Sequence, residues 1–123
     1  MTNFMLIAVG AVLGAYARYC VALLLNRAAS LVPYGTLLIN VSGSLLLGFF
    51  MVWTTERVLV DARWRLLVAV GFCGAYTTFS SYAYETFALW EQGRWAAGVA
   101  NAALNNVLAL AAVLSGALLA RAL

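Results

Sequence analysis

Four long apolar runs dominate this chain of 123 residues and restrict the folds that are open to it. Each run reaches the ~20 residues that an α-helix needs to cross the hydrocarbon core of a bilayer. Only 9% of the residues are charged, against ~25% in soluble domains. The sequence therefore predicts an all-α, multi-pass membrane protein. Its single transmembrane domain covers residues 1–123, with spans at about 4–26, 34–55, 66–90 and 95–120.

Arginine supplies all of the positive charge, and most of it lies in the short connections between the runs. Such a distribution sets the orientation of spans in a membrane and is not typical of a nucleic-acid-binding surface. With four spans, one side collects Arg57, Arg63, Arg65 and Arg121, and the other collects Arg27 and Arg94. The bias is only two arginines, so insertion in both orientations is conceivable.

The third run contains a polar, glycine-containing stretch, Gly71–Tyr82, where an uninterrupted helix is expected. Irregular backbone at membrane depth is tolerated only where protein or a polar cavity covers it. Interrupted helices of this kind form ion and substrate sites in transporters. The sequence therefore predicts a break in the third helix and a functional site at that break.

Polar residues recur at a spacing of four in the second and fourth runs, which places them on one face of each helix. These residues are Thr36, Asn40 and Ser44 in the second run, and Asn101 and Asn105, beside Asn106, in the fourth. Amides facing lipid would be costly, so both faces are expected to turn inward. Two interpretations remain open: interhelical hydrogen bonds that hold the bundle together, or the lining of a narrow polar pathway.

Two ionisable residues, Arg18 and Glu85, fall inside spans. Each needs a partner, water or the membrane interface, because an isolated charge in a span costs at least ~2.5–3.5 kcal/mol. Each is either a helix anchor at the interface or a functional charge near an ion vestibule. In the latter case Arg18 would attract anions, whereas Glu85 would serve as a hydrogen-bonding or structural partner.

Catalytic chemistry has no support in this sequence. The chain has no histidine, and it shows no acidic pair or metal-ligand cluster. Cys20 and Cys73 are expected to be small core residues. The side chains available for a site within the spans are neutral hydrogen-bond donors, one arginine (Arg18) and aromatic ring edges. Such a set suits a small anion that sheds water. Carbonyls freed by the break would instead suit a monovalent cation.

Three motifs give the chain a resemblance to a known family. The motifs are Gly14-Ala-x-x-Arg18-Tyr19, Gly35-Thr36-Leu37-x-x-Asn40-x-x-Gly43-Ser44, and Gly71-Phe72-Cys73-Gly74-x-x-Thr77-Thr78-Phe79-Ser80-Ser81. Together they resemble the Fluc (CrcB-type) fluoride channels of microbial membranes. The resemblance covers the whole chain in length and number of spans, and the fourth span matches least.

The resemblance implies an antiparallel, dual-topology homodimer with two pores, in the bacterial inner membrane. The family function is passive export of fluoride from the cytoplasm, which reduces fluoride toxicity. A partner chain could also be a paralogous subunit. The resemblance further implies a central, non-permeating sodium ion that both subunits share.

The resemblance also assigns roles to individual residues. The backbone carbonyls of Gly74 and Thr77 would hold the sodium ion, and Arg18 would lie near a pore vestibule. The fluoride pathway would comprise Asn40, Phe79, Tyr82, Thr36, Ser44, Ser81, Asn101 and Asn105. Two departures from the family pattern stand out: Tyr82 replaces a second phenylalanine, and Asn101 and Asn105 occupy positions where the family tends to have tyrosine and serine.

Two other functions are compatible with four spans in a chain of this size. A proton-coupled small multidrug transporter would need an embedded acid in the first span, where this chain has Arg18. A small structural subunit would show no ion flux of its own. The sequence motifs favour the fluoride channel over both.

Overall fold

A computed structural model describes residues 1–25, 32–58 and 60–123 of the chain. All regular structure in these ranges is helical, and four of the helices are long and apolar enough to cross a membrane. We call them the first to fourth spans: Thr2–Leu25, Tyr34–Arg57, Ala62–Glu91 and Trp95–Ala122. The predicted all-α architecture with four membrane-crossing helices is confirmed. Position 26, the predicted end of the first span, and Arg27 lie outside the described residues.

Local sequence signals account for where the spans begin and turn. Pro33 precedes the second span, where its missing N–H is harmless because the first N–H groups of a helix lack intrahelical acceptors. The Asp61 side chain accepts a hydrogen bond from the Arg63 backbone N–H at 2.9 Å and so caps the third span. Gly93, with φ of 71°, provides the left-handed residue of the turn into the fourth span.

Glycines bring the first span against the third at backbone distance. A Cβ on Gly10 would lie only 2.9 Å from the backbone nitrogen of Phe72, and one on Gly14 would overlap the Phe72 carbonyl oxygen. Gly71 faces Gly10 in the same contact. Such close approach is the reason small residues are enriched where membrane helices meet.

A second pair of glycines joins the second span to the fourth. A Cβ on Gly48 would overlap the Val113 carbonyl oxygen, and a Cβ on Gly116 would overlap that of Leu45. The contact is reciprocal, because the backbone of each helix packs directly against the glycine of the other. It fixes the spacing of the two spans that carry the polar faces.

Arginines tie the helix ends together at the end of the second span. This span finishes in a π-helix, Trp53–Arg57, and Arg65 donates to the Thr54 carbonyl there at 2.8 Å. A cation at a helix C-terminus is favourable because the carbonyls there carry partial negative charge. Glu56 also forms a bidentate ion pair with Arg121 at 2.9–3.0 Å, which connects the C-terminal ends of the second and fourth spans.

The third span consists of consecutive helical segments. An α-helical turn at Ala62–Arg65 leads into a π-helix, Leu66–Cys73, and a short turn, Gly74–Tyr76; an α-helix then runs over Phe79–Glu91. Between these segments Thr77 has φ −77° and ψ 155°, and Thr78 has φ −149° and ψ 112°. Both threonines are therefore extended, whereas Gly74 is helical with φ −61°.

Candidate functional site

The extended residues of the third span are held by a side chain from the second span. Asn40 accepts a hydrogen bond from the Thr78 N–H at 2.8 Å and donates one to the Thr78 carbonyl at 3.1 Å. The amide thus pairs with one residue's backbone in the manner of a neighbouring strand. Gly43 makes this approach possible, because a Cβ there would overlap the Thr77 side chain.

Two backbone carbonyls lose their usual helical donors at this point. In a continuous α-helix the Thr78 N–H would donate to the Gly74 carbonyl, and the Ser81 N–H to the Thr77 carbonyl. Here the Thr78 N–H donates to Asn40, and the Ser81 N–H donates to the Thr78 hydroxyl at 3.2 Å. Side chains therefore take the donors that Gly74 and Thr77 would otherwise bind.

A chain of buried amides leads from Asn40 along the fourth span. Asn40 donates to Asn105 Oδ1 at 2.9 Å, and Asn105 donates to Asn101 Oδ1 at 3.1 Å. Asn101 donates in turn to the Thr86 hydroxyl at 3.0 Å, and Thr86 donates to the Tyr82 carbonyl at 2.8 Å. Asn101 is fully buried, and each amide has a partner, as buried polar groups require.

Among the described residues, Glu85 is the only acid in the interior of a span, and it directly precedes Thr86, which the amide chain reaches. The Thr36 hydroxyl donates to Glu85 Oε1 at 2.6 Å, which connects the start of the second span to the end of the third. Glu85 Oε2 is buried without a hydrogen-bond partner in the described residues. Thr36 therefore positions this carboxyl group, and the predicted polar face of the second span is engaged at both Thr36 and Asn40.

A cavity of about 260 Å³ opens beside the extended threonines. Of the residues predicted for the site, the cavity brings together six: Asn40, Ser44, Thr77, Phe79, Tyr82 and Asn105. Thr78, Asn106 and the apolar Ala109, Leu110 and Val113 complete its lining. The other predicted residues, Thr36, Ser81, Asn101, Arg18 and Gly74, are not part of this lining. Arg18 is half-buried in the first span.

Two aromatic rings form one wall of the cavity. Phe79 and Tyr82 meet edge to face, with ring centroids 4.8 Å apart and planes at 88°. Phe79 is 73% exposed, so most of its ring is uncovered by its own chain. Aromatic rings carry positive charge at the edge and negative charge on the face. The exposed ring can therefore offer its edge to an anion.

Sequence reasoning missed the central position of Thr78. Its backbone binds Asn40, and its hydroxyl accepts from the Ser81 N–H and donates to the Ser81 hydroxyl at 2.9 Å. The Thr77–Thr78 pair inside an apolar run was the available signal, because threonine caps helices at their N-termini. Only the contact with Asn40, 38 positions away, distinguishes Thr78 from its neighbour.

The lining of the cavity determines which ions it can accommodate. It contains amides, hydroxyls and aromatic rings but no carboxylate, and the described residues hold no group of three His, Cys, Asp or Glu that could bind a metal ion. A divalent cation would require carboxylate ligands. Neutral donors with ring edges are suited instead to a small anion.

Comparisons with known proteins agree with this chemistry. Residues 5–117 match the family model described as CrcB-like protein, Camphor Resistance (CrcB). A relative in Koribacter versatilis is 50% identical, covering 98% of this chain and 97% of its own. Relatives in Sulfurihydrogenibium sp. (43% identical, 100% of both chains) and Legionella pneumophila strain Lens (41%, 96% of this chain and 89% of the relative) are also similar. All three are named fluoride-specific ion channel FluC. The chain belongs to the CrcB-like family.

Proposed function

We propose that this chain is the subunit of a fluoride-selective channel through which fluoride leaves the cytoplasm passively. The observation that carries the proposal is similarity over nearly the full length to relatives named as fluoride-specific channels. The anion-compatible cavity beside Asn40 supports it. These relatives are ion channels, which agrees with the expectation that the chain is not an enzyme.

Fluoride holds its water tightly, so the channel must offer fixed hydrogen-bond donors and ring edges in exchange. The cavity provides hydroxyls at Ser44 and Tyr82, and Phe79 presents its ring beside them. The amide chain through Asn40, Asn105 and Asn101 holds the wall rigid, because every amide is engaged with a neighbour. A rigid wall keeps the pathway narrow, and a narrow pathway discriminates against chloride because chloride is larger than fluoride.

The channel is a dimer in which a second subunit covers the open cavity. Asn106 and Phe79 are exposed in the single chain although both lie well inside spans. An amide directed into lipid would lose its hydrogen bonds with water. A second subunit removes that cost and gives the exposed Phe79 ring a place in a pathway. The small arginine bias permits the two subunits to insert in opposite orientations and to form two pores. The pair consists of two copies of this chain or of this chain and a paralogue.

A sodium ion would be held by the carbonyls of Gly74 and Thr77 in the third span. Gly74 and Thr77 keep strongly polar oxygens whose helical donors are taken by Asn40 and Thr78, and oxygen ligands suit this cation. Two such carbonyls from each subunit would hold one ion between the two chains. When bound, the ion would stabilise the pairing of the third spans, and it would not travel with fluoride.

A single set of measurements tests the dimer and the ion. We expect the purified protein to elute as a dimer in sodium and to dissociate at least partly when a large organic cation replaces sodium. Cysteines introduced at exposed termini should be labelled from both sides of intact inner membranes. A stable dimer without sodium would contradict the role of Gly74 and Thr77, and labelling from one side only would contradict the antiparallel arrangement.

Ion efflux from liposomes tests the function itself. With purified protein and sodium present, we expect rapid fluoride efflux and no measurable chloride efflux, because only fluoride gains enough from fixed donors to replace its water. Empty liposomes control for leak. Equal fluxes of both ions would contradict selectivity. No flux from the pure chain would favour a structural subunit, or a partner paralogue if co-expression restores fluoride efflux.

A further inference from the structure

Tyr82 carries a hydroxyl on the aromatic wall of the cavity. The ring lines the cavity and packs edge to face on Phe79 at 4.8 Å, so the hydroxyl does not displace it from the aromatic wall. The direction of the hydroxyl proton depends on the hydrogen bonds that surround it.

Asn106 fixes the hydrogen-bonding role of the Tyr82 oxygen. The Asn106 side-chain nitrogen donates to the Ala102 carbonyl at 2.8 Å, and a carbonyl oxygen can only accept. The same nitrogen lies 3.3 Å from the Tyr82 hydroxyl oxygen. Asn106 is therefore the donor of this second bond as well, and the Tyr82 oxygen is its acceptor. The hydroxyl proton of Tyr82 remains available for a different acceptor.

The neighbouring amide donors of the cavity are already engaged. Asn40 donates to the Thr78 carbonyl and to Asn105, and Asn105 donates to Asn101. Within the described residues, the Tyr82 hydroxyl donates to no acceptor. A ligand that enters the cavity could therefore accept a hydrogen bond from the Tyr82 hydroxyl, while the amides keep their protein partners.

We propose that the Tyr82 hydroxyl, oriented by Asn106, donates a hydrogen bond to the anion in the pathway. The ligand class is a small, hard, monovalent anion, because hydrogen bonds to a concentrated negative charge are short and strong. Tyr82 is then a contact residue that sets affinity, and Asn106 is a positioning residue that acts through it. The inference rests on the proposed function and assigns this chain a donor that a phenylalanine would lack.

Replacing the hydroxyl tests the inference through fluoride affinity. Currents across planar bilayers give the fluoride concentration at half-saturation, and we expect Tyr82→Phe to raise it about tenfold, the effect of one hydrogen bond. Asn106→Leu should raise it in the same direction and add nothing in the Tyr82→Phe background, because coupled residues are not additive. Tyr84→Phe, at an exposed tyrosine outside the cavity, is the matched control.

A second measurement does not depend on conduction. Fluoride added to the purified protein should shift tyrosine absorbance to longer wavelength, and the shift should vanish in Tyr82→Phe but persist in Tyr84→Phe. An unchanged or lowered fluoride concentration at half-saturation in Tyr82→Phe, or an absorbance shift that survives that change, would overturn the inference. Absence of fluoride current in the unmodified protein, with and without a co-expressed paralogue, would instead overturn the proposed function, and the absorbance shift would still decide the role of Tyr82.

Discussion

Asn40→Asp is expected to abolish fluoride efflux and to lower the thermal stability of the protein while the proposed dimer still assembles. The amide donates to the Thr78 carbonyl at 3.1 Å and to Asn105 Oδ1 at 2.9 Å. A carboxylate can donate neither bond and places negative charge against two oxygens. Each buried group left unpaired costs about 1–3 kcal/mol, so the two together cost about 2–6 kcal/mol. The added charge also repels an anion from the cavity.

Fluoride efflux from liposomes, size-exclusion chromatography and thermal unfolding in detergent measure the three parts of this expectation. Asn3→Asp is the matched control, because it makes the same chemical change at an exposed position near the start of the first span. We expect that variant to conduct like the unmodified protein. Normal fluoride efflux in Asn40→Asp would show that Asn40 neither lines the pathway nor holds the third span.

Gly116→Leu is expected to prevent the second and fourth spans from packing and to yield aggregated protein. A Cβ at this position would overlap the Leu45 carbonyl oxygen and lie 2.7 Å from the Phe49 backbone nitrogen. Both obstacles are backbone atoms, so no side-chain rotation relieves them. Overpacking in a well-packed core costs ~1–3 kcal/mol and more where the backbone must move. Separating these spans would also break the Asn40–Asn105 contact.

Size-exclusion chromatography of protein extracted in mild detergent measures the outcome for Gly116→Leu. Ser115→Leu serves as the control, because it adds similar bulk one residue earlier at an exposed position. We expect the control to elute like the unmodified protein. Elution of Gly116→Leu at the native volume, with an unchanged unfolding temperature, would contradict the close backbone contact between Gly116 and Leu45.

Glycine illustrates how far the sequence could locate the irregular backbone of the third span. The predicted interruption rested on Gly71 and Gly74, yet both are helical, and Thr77 and Thr78 are the extended residues. Gly71 serves instead for close packing against Gly10. A glycine permits either role, and only the position of the neighbouring helix decides between them.

The amides show the same division within the site. Their spacing of four predicted that Asn101 and Asn105 would share an inward face, and both are buried. The sequence left open whether they bind each other, another helix or an ion. The structure pairs Asn105 with Asn40 across 65 positions and Asn101 with Thr86 across 15. Partner choice among several amides depends on the relative rotation of the helices, which periodicity does not specify.

The sequence by itself determined the membrane location, the four helices and the inward polar faces. These features follow from the length and periodicity of apolar runs, which are properties of neighbouring residues. Only the tertiary structure decided that Asn40 binds the backbone of Thr78, that Gly74 thereby loses its helical donor, and that the Asn106 amide lies 3.3 Å from the Tyr82 hydroxyl. Each of these depends on atoms from distant parts of the chain meeting within hydrogen-bond distance, and such distances arise only when the helices pack.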